Sequence, residues 1–162
     1  MTKTHAKNFI DYLISLKENK GAIAALRKCT DPKRVFEAAK YIYPFLPDDN
    51  KKWEQECFIA VASLFAYRPN HTDSCSFGES LFKIFGNDEN KGKKMLNFLK
   101  ASEDSVFYQL RQLIFISDNA PINWEDLIIC LCGWKSYDRW SQNKIAKDFW
   151  THNKQDVETT NQ

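Results

Sequence analysis

The sequence predicts an all-α fold of about eight or nine helices, and three observations carry that prediction. Apolar residues recur at spacings of three and four along most of the chain, as one buried helix face requires. No stretch sustains the period-two alternation of a half-buried strand. The five glycines and five prolines in 162 residues fall mostly where one apolar run ends and the next begins.

Phe9, Tyr12, Leu13 and Leu16 mark a first helix that stops before Asn19-Lys20-Gly21. A second covers Gly21 to Lys28, where Ala22, Ala24 and Ala25 keep the helix slim while Ile23 and Leu26 pack. Arg27 and Lys28 then project as an adjacent cationic pair. Thr30-Asp31-Pro32 reads as the next start, with Asp31 as N-cap and Pro32 at the first helical position. Val35, Phe36, Ala39 and Ile42 line its inner face, and Pro44 and Pro47 end it.

Trp53, Cys57, Phe58, Val61, Leu64 and Phe65 form the clearest amphipathic stripe, with Glu54, Gln55 and Ser63 off it. Arg68-Pro69 ends that helix. Residues 69–78 are polar and read as a surface loop. That loop is either a boundary between helical lobes at 1–69 and 70–154 or a long connection inside one domain. Leu81, Ile84 and Phe85 then start a short helix broken at Gly86-Asn87, and Lys91 to Lys94 lead into another with Met95, Phe98 and Leu99 inward. Ser102 is placed to cap a helix carrying Val106, Phe107, Leu110, Leu113 and Ile114. Asn123 caps the following one, whose Glu125 and Asp126 complement the N-terminal dipole. Residues 144–150 close the fold, and the polar stretch 155–162 is expected to be disordered.

Composition is globular, at 43% hydrophobic and 27% charged. No apolar run approaches the length of about 18 residues that spans a bilayer, and the N-terminal stretch lacks the pattern of a secretory signal. A cytoplasmic protein with no membrane association is therefore expected. Five irregularly spaced cysteines, with Cys130 inside an apolar run, read as buried or inert thiols rather than a disulfide framework or zinc site. The glycines form no phosphate-binding loop, and His5, His71 and His152 are scattered and read as solvent-exposed. Adjacent Glu125 and Asp126 diverge by about 100° on a helix, too far to work as an acid pair. No catalytic residue, cofactor or metal is predicted.

Charge points to binding instead. Residues 1–40 hold nine basic and four acidic groups in a chain whose net charge is only +2. Acidic stretches at 41–82 and 101–134 alternate with basic ones that include Lys83, Lys91, Lys93, Lys94 and Lys100, then Lys135, Arg139, Lys144 and Lys147. Basic helices sharing a face would make a phosphate track and leave acidic faces for protein partners. Among the aromatics near these bases, Trp134 and Trp150 are expected to anchor the core. Tyr137 and Trp140 are expected to be exposed, in a loop suited to stacking on bases.

Six collinear motifs narrow the reading. They are Gly21 to Lys28; Leu64-Phe65-Ala66; Ser76-Phe77-Gly78-Glu79-Ser80-Leu81; Met95 to Ala101; Gln109-Leu110-Arg111-Gln112-Leu113; and Ile122-Asn123-Trp124 with Leu127, Leu131 and Trp134, followed by Ile145 to Trp150. In this order and spacing the chain resembles the CasB family, the small subunit of the type I-E CRISPR surveillance complex Cascade, over roughly residues 9–150.

The resemblance implies two small packed helical bundles and a non-catalytic role in antiviral defence. It also implies partners: a second copy of the chain, the Cascade backbone and large subunits, CRISPR RNA, and target DNA including its displaced strand. There the family supports the guide–target hybrid and stabilises the R-loop, holding backbone while base pairing reads sequence. Carried onto this chain, phosphate contacts fall on Arg27 and Lys28, then on Arg111, and then on Lys144 and Lys147. Phe82 and Gln112 stand where family members commonly carry basic residues, with Lys91, Lys93 and Lys94 placed to compensate. The alternative is a purely structural scaffold subunit with no nucleic-acid affinity of its own.

Overall fold

A computed structural model describes residues 1–160, with side chains described through residue 151. The order is α1 (Lys3–Ser15), α2 (Lys20–Arg27), α3 (Ala39–Ile42), α4 (Lys52–Tyr67), α5 (Phe77–Phe85), α6 (Glu89–Leu99), α7 (Val106–Ile116), α8 (Trp124–Cys132) and α9 (Trp140–Thr160). Among the described residues the fold is all-α; the one β-type feature is an isolated parallel bridge between His71 and Ile122. Helix α9 covers 155–160 of the stretch expected to be disordered. Side chains from His152 onward, and residues 161–162 entirely, lie outside the described residues.

Side-chain caps start several helices, and of those expected from sequence Asn123 is one. The Asn19 side chain accepts from Ala22 N, Asn123 from Asp126 N, and Asp88 from Asn90 N and Lys91 N. Ser76 and Glu79 close a full capping box at the start of α5. Ser102 caps nothing directly: α7 begins at Val106 after a turn in which the Ser102 and Ser105 hydroxyls meet.

Helix α4 is the centre of the molecule. Cys57, Phe58 and every residue from Ala60 to Ala66 are buried on it, including Ser63, which the amphipathic pattern puts outside. Such all-round burial needs neighbours on every side; α2 and α8 supply most of them, with α3 and α7 adding contacts. Helix α1 packs on α8, α6 on α7, and α5 lies along α9. The buried side chains form one continuous cluster from Ala6 to Phe149, so stretches 1–69 and 70–154 share a core.

Three expectations change. Residues 35–45 form no single helix: a 3-10 turn (Val35–Ala38), the one-turn α3 and a second 3-10 turn (Tyr43–Phe45) replace it. The shift from 3.6 to 3 residues per turn buries Ala38 and Ile42 and turns Phe36 outward, 70% exposed. Asp31 closes only a local turn, accepting from Lys33 N. The loop after α4 is tied to the second half of the chain. Thr72 N donates to Ile122 O, Ile122 N to Asn70 O, and Trp124 Nε1 to Asn70 O. The histidines change with it: His71 Nδ1 accepts from Trp124 N, and burial lowers its pKa. His5 packs on Phe58 and donates from Nε2 to Phe45 O at 2.8 Å.

Gly78 lets α5 meet α9. A Cβ there would lie 2.5 Å from Ile145 O and 2.9 Å from the Asp148 Cβ, and the first of these atoms is backbone that cannot swing aside. Gly78→Ala is therefore expected to cost about 1–3 kcal/mol by overpacking, read as a lower urea midpoint with unchanged m-value. Gly92→Ala, whose Cβ would meet nothing within 4 Å, is the control and leaves the midpoint unchanged or raised.

Candidate nucleic-acid interface

Arg27 ends α2, where a cation complements the helix dipole. Its backbone carbonyl accepts from Ser63 Oγ at 3.2 Å and Tyr67 Oη at 3.5 Å, which fixes the end of α2 on α4. The Arg27 side chain then folds over the last turn of α4. Nε donates to Ala66 O at 3.0 Å, and the guanidinium lies 5.5 Å from the centre of the Tyr67 ring.

Arg111 approaches the same ring from α7, at 5.8 Å, and stacks over Phe115, four residues on, at 4.8 Å. Tyr67 and Phe115 themselves meet edge to face at 5.1 Å. Arg68, read from sequence only as a helix stop, supplies a third guanidinium, 5.8 Å from Phe115. Its terminal nitrogens donate to Tyr67 O and Phe115 O, while its Nε is buried without a partner. Nearby, Lys17 Nζ reaches Asn70 Oδ1 at 3.1 Å. Among the described residues, no ion pair involves Arg27, Arg68, Arg111 or Lys17. Three guanidiniums are held on two aromatic rings, with Arg27 and Arg111 exposed, and form a pre-ordered cationic surface.

The other candidates part company from this cluster. Lys28 turns away from Arg27 and pairs with Glu37 at 3.4 Å, a carboxylate that Arg34 also holds at 3.0 Å. The Arg34 hydrogen bond lowers the Glu37 pKa. Lys93 and Lys94 on α6 and Lys147 on α9 are exposed, and no ion pair or hydrogen bond joins them to the arginines. Lys144 is committed internally. Its Nζ bonds both oxygens of Asp126, at 3.0 and 2.9 Å, and Asp148 at 3.1 Å. Asp126 also accepts from Phe77 N, so this group ties α5, α8 and α9 together.

Tyr137 is fully exposed, and Trp140 is 38% exposed with its ring against Gly133. Trp134 is buried, as expected. Trp150 is not the core anchor that its position in the C-terminal motif suggests, being 39% exposed beside Phe149. Cys29, Cys57 and Cys130 are buried, and burial pushes the Cys29 and Cys130 thiols up to about 12. Among the described residues no group of three or more His, Cys, Asp or Glu is placed to hold a metal ion, and no helix is long and apolar enough to cross a membrane.

Residues 22–150 match the model of the CRISPR-associated protein Cse2 family, a span that includes the arginine cluster and all helices from α3 to α8. The chain belongs to the Cse2 family. A Cse2-family protein from Thermus thermophilus has a crystal structure 26% identical in sequence. The match covers 90% of this chain and 97% of that one, with a TM-score of 0.79. Two more distant structures share the fold. CasB from M. ruber is 19% identical over 96% of this chain and 97% of its own, at a TM-score of 0.78. A chain of a CRISPR RNA-guided surveillance complex is 22% identical over 98% of both, at 0.81. No curated protein matches this Cse2 chain.

Burial disfavours the charge on Lys144, but its bonds to Asp126 and Asp148 outweigh that and raise its pKa above the ordinary 10.5. The stabilisation is therefore complete below pH 10.5 and is lost as pH rises through the raised value. Lys144→Ala is expected to lower Tm by about 2–4 °C at neutral pH, for about 1 kcal/mol after allowing for its partial exposure. The deficit should vanish at strongly alkaline pH, and nucleic-acid affinity should not change.

Proposed function

We propose that this Cse2-family chain is a non-catalytic small subunit of a CRISPR RNA-guided surveillance complex. It grips the nucleic-acid backbone without sequence preference and so stabilises the guide–target hybrid and the displaced DNA strand. The observation that carries this reading is the meeting of Arg27 and Arg111 on one tyrosine ring, with Arg68 alongside and no carboxylate among the described residues paired to any of them. Guanidiniums left without acidic partners keep their full attraction for phosphate, and stacking on Tyr67 and Phe115 orders them in advance.

The fold shared with a chain of a surveillance complex supports the assembly role. In that role the partners are CRISPR RNA, target DNA, the backbone and large subunits, and a second copy of the chain, in the cytoplasm. Lys147, Lys93 and Lys94 add exposed positive charge to the chain. Lys28 contributes less than Arg27, because Glu37 already engages it.

Fluorescence anisotropy with unrelated single-stranded DNA and RNA across a salt series tests the reading. The wild-type affinity should fall with salt at a log–log slope of about −0.7 per phosphate contact. Arg27→Glu combined with Arg111→Glu should abolish most binding at low salt, whereas Lys28→Glu should cost markedly less. Binding absent from the wild type even at low salt, or untouched by the double reversal, would overturn the proposal and favour a pure scaffold.

A further inference from the structure

The broken segment between α2 and α4 crosses one side of α4 without closing against it. A trough remains. One end, about 430 Å³, is lined by Cys29, Val35, Ile59 and Phe107 with Glu56. The other, about 730 Å³, is lined by Tyr43, Leu46, Asp48 and Asp49. Val35 and Ile59 line both, so the two hollows adjoin. Tyr43, which lines the second hollow, is 46% exposed, and the residues that follow Val35 and Phe107 in the chain, Phe36 and Tyr108, are 70% and 64% exposed. Aromatics this exposed around an apolar hollow are the composition of a recognition surface rather than of ordinary solvent-facing protein.

Charge identifies the occupant. The residues lining the trough include three carboxylates, Glu56, Asp48 and Asp49, and no lysine or arginine. Among the described residues none of the three carboxylates forms an ion pair, although Glu37 and Glu54 on the neighbouring surface are both paired. An acidic rim repels phosphate, so nucleic acid is the wrong ligand here. It attracts cations, and an apolar floor asks for bulky side chains between them.

We infer that this trough docks a basic amphipathic segment of another protein. Its apolar side chains seat against Val35, Ile59 and Phe107, and its lysines or arginines reach Glu56, Asp48 and Asp49. The inference rests on the proposed function only in requiring that the chain works beside other proteins.

Photo-crosslinking tests it directly. Phe36→p-benzoyl-phenylalanine is introduced into the chain within its assembled complex, the complex is irradiated, and the joined peptide is sequenced by mass spectrometry. The expected product is a peptide of a different protein in which lysine or arginine alternates with large apolar residues. Asp49→Lys with Glu56→Lys should lower its yield at least tenfold while leaving the Tm of the isolated chain unchanged. If that pair lowers Tm, Glu56→Gln alone should still reduce the yield at unchanged Tm. A crosslink to a second copy of the chain, to nucleic acid or to an acidic peptide, no crosslink at all, or a yield indifferent to the charge changes would overturn the inference. Loss of the anisotropy signal with the crosslink retained would defeat the nucleic-acid reading and leave this one standing.

Discussion

The burial of α4 on nearly all its faces is the constraint from which the rest of the structure follows. Ala60, Ala62, Ser63 and Ala66 are small enough for neighbouring backbones to come close, and interiors packed at crystal-like density leave them no slack. Because α2 is drawn onto this helix, Ser63 and Tyr67 can take the Arg27 carbonyl and fix where its side chain leaves the fold. Because α7 and α8 reach the same helix, Arg111 and Trp124 arrive near its last turn. The aromatic end of α4 thus becomes the meeting point of three guanidiniums.

Charges of one sign have three different fates in this molecule, and their neighbours decide which. Arg27 and Arg111 lie on aromatic faces, and no carboxylate among the described residues pairs with them. Lys144 meets two carboxylates in a partly buried corner and serves as a fastener between helices. Lys28 and Arg34 divide one exposed glutamate between them. A planar guanidinium can stack on an aromatic face and still present hydrogen-bond donors. The candidate interface is accordingly built on arginine. The acidic lining of the trough along α4 is the electrostatic counterpart.

Much of the fold was legible because caps and periodicity are local. Asn123 acts within three residues and starts its helix where expected, and the caps at Asn19 and at Ser76 with Glu79 have the same short range. Reading failed where a distant element overrode local preference. Phe36 fits the inward face of an ideal helix, but the 3-10 geometry of its segment turns it out. Ser63 lies off the apolar stripe of α4 yet is buried, because α2 covers that face. His71 stands in a polar loop that a second, distant loop around Ile122 closes over through backbone bonds.

The candidate site divides the same way. Arg27 at a helix end and Arg111 four residues before Phe115 follow from the sequence alone, as does the basic excess of residues 1–40. That Arg27 and Arg111 share Tyr67, that Arg68 joins them, and that Lys144 is spent on Asp126 and Asp148 were decided only by tertiary structure. The reason is physical. Helix starts, residue charge and i, i+4 neighbours depend on a few bonded residues, while the freedom of a charge depends on which side chains packing brings to it across the chain.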